Sequence, residues 1–128
     1  MYIREVTRAG KNALVCASSG GIGKGIAIEL LKEGVNVSIL GRNKEKLEQA
    51  KKELSKLPNV IATICDLANE NDIQNVYDRT ISEFGNIDIL INNQGGPAPG
   101  NFEDITDEQT SEALKVNLMS VFTLTKLC

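Results

Sequence analysis

A chain of 128 residues, 41% hydrophobic and 24% charged, has the size and composition of one globular domain with a single core. Its net charge of −3 gives no support to nucleic-acid or anionic-membrane binding, both of which need clustered positive charge. No apolar run approaches the ~20 residues needed to cross a bilayer, and Met1-Tyr2-Ile3-Arg4-Glu5 is not backed by the apolar segment of a secretory signal.

Residues 1–10 read as a short polar lead-in. The apolar run at about 12–17 predicts a first strand covered on both faces. Ser18-Ser19-Gly20-Gly21-Ile22-Gly23 then makes a tight glycine turn into a helix over about 21–33. Ile22, Ile26, Ile28, Leu30 and Leu31 give that helix a broad apolar side, and Gly34 is placed to end it. Residues 35–40 predict a second strand. Asn43 opens a second helix, whose Leu47, Ala50, Leu54 and Leu57 keep helical spacing until Pro58 stops it.

Residues 60–65, rich in β-branched side chains, predict a third strand. After Asp66-Leu67, a helix over about 70–85 carries Ile73, Val76, Tyr77, Thr80, Ile81 and Phe84 on one face, the best amphipathic pattern in the chain. Gly85-Asn86 turn it into a fourth strand over 87–92. A loop rich in glycine and proline follows, and the capping pattern from Thr106 to Gln109 starts a last helix that runs to Cys128. Strand and helix thus alternate four times. That pattern predicts an α/β fold: a doubly wound parallel sheet, strand order 3-2-1-4, with ligands bound beyond the carboxyl ends of strands one and four.

The glycine turn carries chemistry. Without Cβ atoms, its backbone can approach a ligand closely, and the helix behind it offers unpaired N–H groups and a positive dipole end to a pyrophosphate. Strand before, helix after and a second strand about 20 residues on point to a dinucleotide. A P-loop is excluded, because Gly25 follows Lys24 and Ser18 stands at the required first glycine. Another nucleotide or a methyl donor stays open as an alternative. After strand two the chain reads Gly41-Arg42-Asn43-Lys44 rather than offering an acidic residue to a ribose 2′-hydroxyl. An arginine there suits a 2′-phosphate through charge-assisted hydrogen bonds, so NADP is favoured, with NAD possible. With no histidine in the chain, zinc sites and histidine-based triads lose their usual ligand and base. Cys16, Cys65 and Cys128 show no Cys-x-x-Cys spacing and read as reduced thiols of a cytoplasmic protein.

Residues 17–23, Gly41-Arg42-Asn43, Asp66-Leu67, Asn92-Asn93-Gln94-Gly95 and Asn117 together resemble the N-terminal half of a short-chain dehydrogenase/reductase, nearest to its ketoacyl reductase and sugar dehydrogenase members. The resemblance implies a Rossmann-like NAD(P)-binding domain over 1–128, ending before a fifth strand. It implies that Ser18, Ser19, Gly20, Gly21, Ile22 and Gly23 lie at the pyrophosphate, Arg42 and Asn43 at the 2′-phosphate, and Asp66 and Leu67 at the adenine. Asn92, Asn93 and Gly95 would lie at the adenosine ribose and cleft floor, with Asn117 as the active-site asparagine. It further implies a small carbonyl or alcohol substrate and a homo-oligomer.

Three residues depart from the family pattern. Ala17 stands where a glycine is usual, and is acceptable only at negative φ. Cys16 replaces a threonine, and Gln94 an alanine. More is missing than altered: the family's chemistry needs a tyrosine with a lysine four residues on, whereas Tyr2 is followed by Val6 and Tyr77 by Ile81. The 128 residues are therefore expected to bind NADP(H) weakly or not at all and not to turn over. Strand four is expected as an open edge, with Val116, Val121, Phe122 and Leu124 uncovered. A non-catalytic nucleotide-binding or scaffold module, and a methyltransferase, are the competing readings.

Overall fold

The computed structural model describes residues 8–128, so most of the lead-in expected over 1–10 lies outside the described residues. Four strands, β1 (Asn12–Val15), β2 (Asn36–Gly41), β3 (Val60–Ile64) and β4 (Ile89–Ile91), form one parallel sheet in the order β3-β2-β1-β4. This is the Rossmann-like arrangement the alternation predicts. Val15 pairs with Ile39 on one side and Ile91 on the other, so the loops after β2 and β4 flank the glycine turn. Helices α1 (Gly21–Lys32), α2 (Lys44–Leu54) and α3 (Glu70–Phe84) connect the strands. A 3-10 turn, Phe102–Asp104, precedes α4 (Asp107–Leu114), and a π segment, Lys115–Met119, joins α4 to α5 (Ser120–Leu127). Among the described residues no helix is long and apolar enough to cross a membrane.

Successive strand residues face opposite sides of the sheet, and both sides are covered. Ala13, Val15, Val37 and Ile39 pack with Ala27, Leu31, Leu47 and Leu54 of α1 and α2. Leu14, Cys16 and Leu40 pack on the other face with Leu67, Ile73, Val76 and Leu124. Between α3 and the sheet, the Thr80 hydroxyl meets that of Ser38 at 2.8 Å and the Val76 carbonyl at 2.7 Å, so both buried hydroxyls are paired. Opposite the glycine turn, buried Asn12 donates to Phe84 O and Asn86 Oδ1 and accepts from Asn36 Nδ2. These bonds clamp the starts of β1 and β2 to the α3–β4 turn.

Of the apolar side expected on α1, Leu31 is buried and Ile26, Ile28 and Leu30 pack partly buried against the core, and Ile22 alone needs correction. Gly23, Ala27 and Leu31 are the helix's buried stripe, and Ile22 is 76% exposed. Size decides here rather than hydrophobicity, because the helix start lies against the backbone of Ala17, where only a small residue fits. Leu57 lies beyond the end of α2, whose last turn closes when Ser55 Oγ and N bond to Lys51 O, yet it still packs on the core. The last helix is also better anchored than expected. Leu124 is 0% exposed, Val116 and Val121 are half-buried, and only Phe122 of the four is exposed, at 56%.

Candidate functional site

The chain leaves β1 through Cys16, whose N–H still bonds Ile91 O, and turns at Ala17 with φ 44°. The negative φ required of an alanine is therefore not what the structure shows. Left-handed backbone costs an L-residue about 1–2 kcal/mol. The neighbourhood holds it there: Asn93 Nδ2 donates to the carbonyls of Cys16 (3.3 Å) and Ala17 (3.4 Å). The N–H and hydroxyl of Ser18 bracket β2, with N–H donating to Leu40 O (2.9 Å) and Oγ accepting from Leu40 N (3.1 Å). Ala17→Gly is expected to raise stability by about 0.5–1 kcal/mol, the released strain exceeding glycine's extra chain entropy; urea unfolding measures it.

Two glycines allow close approaches to this turn, one from α1 and one from β2. A Cβ on Gly23 would lie 2.5 Å from Ala17 O and 2.8 Å from Asn93 Nδ2, so only glycine fits. Gly41 plays the complementary part at the end of β2, where a Cβ would lie 3.0 Å from Ser19 Oγ. Gly20, in extended backbone, precedes the helix without capping it through a side chain, and the first turn of α1 holds no acidic residue. By contrast α2, α3 and α4 are capped by Asn43, Asn69 and Thr106. The Cβ positions of Gly20 and Gly21 face open space, and Ile22 is exposed beside them. Unpaired N–H groups, a positive dipole end and room for a ligand thus coincide.

The other expected residues sort by what their side chains already do. Ser18 is fully buried and its hydroxyl also donates to Val15 O at 2.7 Å, so it shapes the turn from inside. Asn43 Oδ1 caps α2 through Lys46 N, whereas Arg42 beside it is exposed and makes no hydrogen bond or ion pair among the described residues. Asp66 accepts from Ala68 N through Oδ1, and Leu67 belongs to the core under α3. Asn92 and Gly95 are exposed in the loop after β4, and Asn93 is turned inward to the carbonyls. Asn117 lies in the π segment, exposed, with Nδ2 on Ala113 O of its own helix at 3.1 Å; no hydrogen bond joins it to the glycine turn.

Sequence reasoning missed one link: Gln94 Nε2 donates to Ser120 Oγ across to α5. The signal available was only that a long amide replaces an alanine. No redox or nucleophilic role falls to the buried cysteines. Burial pushes the Cys16 and Cys65 thiols up to about 12, so they stay protonated at neutral pH.

The comparisons agree with this geometry. The family model described as short chain dehydrogenase matches residues 11–128. A short chain dehydrogenase/reductase of Gibberella zeae is 36% identical over 122 residues, covering 93% of this chain and 44% of that protein. The L-fucose dehydrogenase of Bos taurus is 32% identical over 120 residues, covering 93% and 43%. Among solved structures, the 3-ketoacyl-(acyl-carrier-protein) reductase of Brucella melitensis, complexed with NADH, superposes with a TM-score of 0.84 at 30% identity, over 92% of this chain and 48% of that one. Actinorhodin polyketide ketoreductase with NADPH gives 0.85 at 32% identity, over 91% and 45%. The chain thus spans less than half the length of these relatives. On the match over residues 11–128 and the shared sheet, the chain belongs to the short-chain dehydrogenase/reductase family.

Proposed function

We propose that this chain is the coenzyme-binding portion of an oxidoreductase that moves hydride between NADP(H) and a small carbonyl or alcohol substrate. The observation that carries the reading is the uncapped, acid-free start of α1 facing open space at the carboxyl end of β1, with Arg42, which has no partner among the described residues, at the end of neighbouring β2. NADH in one relative's structure and NADPH in another's support a nicotinamide coenzyme for the family. The choice of NADP rests on Arg42.

The coenzyme would supply the hydride and this chain its seat. Backbone N–H groups of residues 20–23 would hold the pyrophosphate, with Ser19 at the rim. The Arg42 guanidinium would meet the 2′-phosphate, while Asn43 keeps the start of α2 in place. Asp66 would meet the adenine amine through its carboxylate, held in place by Ala68 N donating to Oδ1, and Leu67 would form the wall behind it. Asn92 and Gly95 would border the ribose, and Asn93 holds the turn in shape. Asn117 is the residue of this chain proposed for the reaction centre, holding a water in a proton relay. None of the 128 residues forms the tyrosine–lysine pair, so binding without turnover is proposed for the chain by itself. Its place in a homo-oligomer and in the cytoplasm is part of the same proposal.

Fluorescence titration with NADPH, NADH and a methyl donor tests it. Weak NADPH binding, still weaker NADH binding and no reduction of assorted ketones are expected. Binding of the methyl donor in place of NADPH would replace this reading with a methyltransferase, and turnover by this chain would contradict the division of labour.

A further inference from the structure

Gln94 stands apart from every role given so far. Its bond to Ser120 Oγ, 3.4 Å long, is the one hydrogen bond among the described residues that joins residues 92–101 to the last helix. Ser120 is 1% exposed, and its hydroxyl also donates to Val116 O one turn back, so it sits at the boundary between the π segment and α5. The two sides of that boundary differ. Leu124 anchors α5 in the core, while no residue of Lys115–Met119 is buried. A π segment is a costly interruption of a helix and persists where its surroundings fix it. Outside the helix, Val116 packs on the core, and the hydrogen-bonding contact comes from Gln94, next in sequence to the asparagine that holds the glycine turn.

We infer that Gln94 is a positioning residue: it ties the order of Lys115–Met119, and with it the presentation of Asn117, to the loop that floors the coenzyme cleft. The path is short and contiguous, from the carbonyls of Cys16 and Ala17 through Asn93 and Gln94 to Ser120 and Val116. Alanine, which the family resemblance leads one to expect at 94, has no atom to reach Ser120. The consequence for a bound coenzyme rests on the proposed function: occupying the cleft steadies the loop, and Gln94 passes that order to the π segment.

Hydrogen exchange on the 128-residue chain tests both halves. Without coenzyme, Gln94→Ala and Ser120→Ala are each expected to speed exchange of amides 115–120 about tenfold, and the double variant no further than either single one. Additive effects, or unchanged exchange at 115–120 in either single variant, would overturn the tether. With NADPH, the parent chain is expected to gain protection at both 17–23 and 115–120, and Gln94→Ala at 17–23 alone. Protection of 115–120 that survives in Gln94→Ala overturns the coupling. Lack of NADPH protection at 17–23 in the parent overturns the coenzyme reading instead, and the coenzyme-free comparison still decides the tether.

Discussion

Gly23→Ala is expected to cost about 1–2 kcal/mol of stability and to remove coenzyme binding. The added methyl would lie 2.5 Å from the Ala17 carbonyl oxygen and 2.8 Å from Asn93 Nδ2. The first of these is backbone, already strained at φ 44° and bonded to Asn93, so it has no easy retreat. Overpacking of this kind costs about 1–3 kcal/mol or more, and a better helix former returns at most about 1. Either way out damages the site: α1 lifts off the turn, or Asn93 lets go of the two carbonyls. Gly25→Ala supplies the control, since its Cβ meets nothing within 4 Å in the same helix. That variant should be neutral or gain up to about 1 kcal/mol. Denaturant unfolding and NADPH titration of both variants give the comparison, and equal stability of the two would remove the close approach from the account.

The sheet was readable because each strand is a short run dominated by apolar and β-branched residues, and because α1 and α3 are followed by glycines at positive φ. Gly34, at φ 78°, follows α1 where expected. The face of α3 was readable as well: Ile73, Val76 and Thr80 are its buried residues. The face of α1 was readable only in part, since Leu31 is buried and Ile26, Ile28 and Leu30 pack against the core but Ile22 does not. Its seat is chosen by the absence of side chains at Gly23 and Ala27, and a search for large apolar residues passes over both and selects exposed Ile22. The last helix shows another limit. Its capping box, Thr106 with Gln109, is written in the local sequence, but the π segment depends on Ser120, Val116 and a loop residue far away in the chain.

The strand order sets the loops after β1, β2 and β4 side by side, whereas spacing said less about what each side chain does there. Ser18, Asn43 and Asn93 all lie where coenzyme contacts were expected, yet each is committed to the protein's own backbone, at Val15 and Leu40, at Lys46, and at Cys16 and Ala17. A polar residue in a tight turn has neighbouring carbonyls and amides to satisfy before any ligand. Spacing cannot tell these two uses apart. Arg42 is the contrasting case, since no partner among the described residues accounts for it.

Arg42→Ala is therefore expected to weaken NADPH binding about tenfold to a hundredfold, the worth of one charge-assisted interaction of roughly 1.5–3 kcal/mol, while NADH binding stays nearly unchanged. The asymmetry follows from geometry and charge. Arg42 comes directly after Gly41, the last residue of β2, beside the strand that feeds the glycine turn. A dinucleotide whose pyrophosphate lies on α1 would lay its adenosine ribose toward that edge. Only NADPH carries a phosphate there, so only NADPH loses an interaction with the guanidinium. Arg42→Lys should fall between parent and alanine, because an ammonium keeps the charge and loses the two-pronged geometry. Added salt should narrow the gap between parent and Arg42→Ala for NADPH and leave the NADH values close together, since the contact is exposed and screened. Equal losses for both coenzymes would mean that Arg42 acts through the fold of the α2 start rather than through the phosphate, and the preference for NADP would lose its only residue.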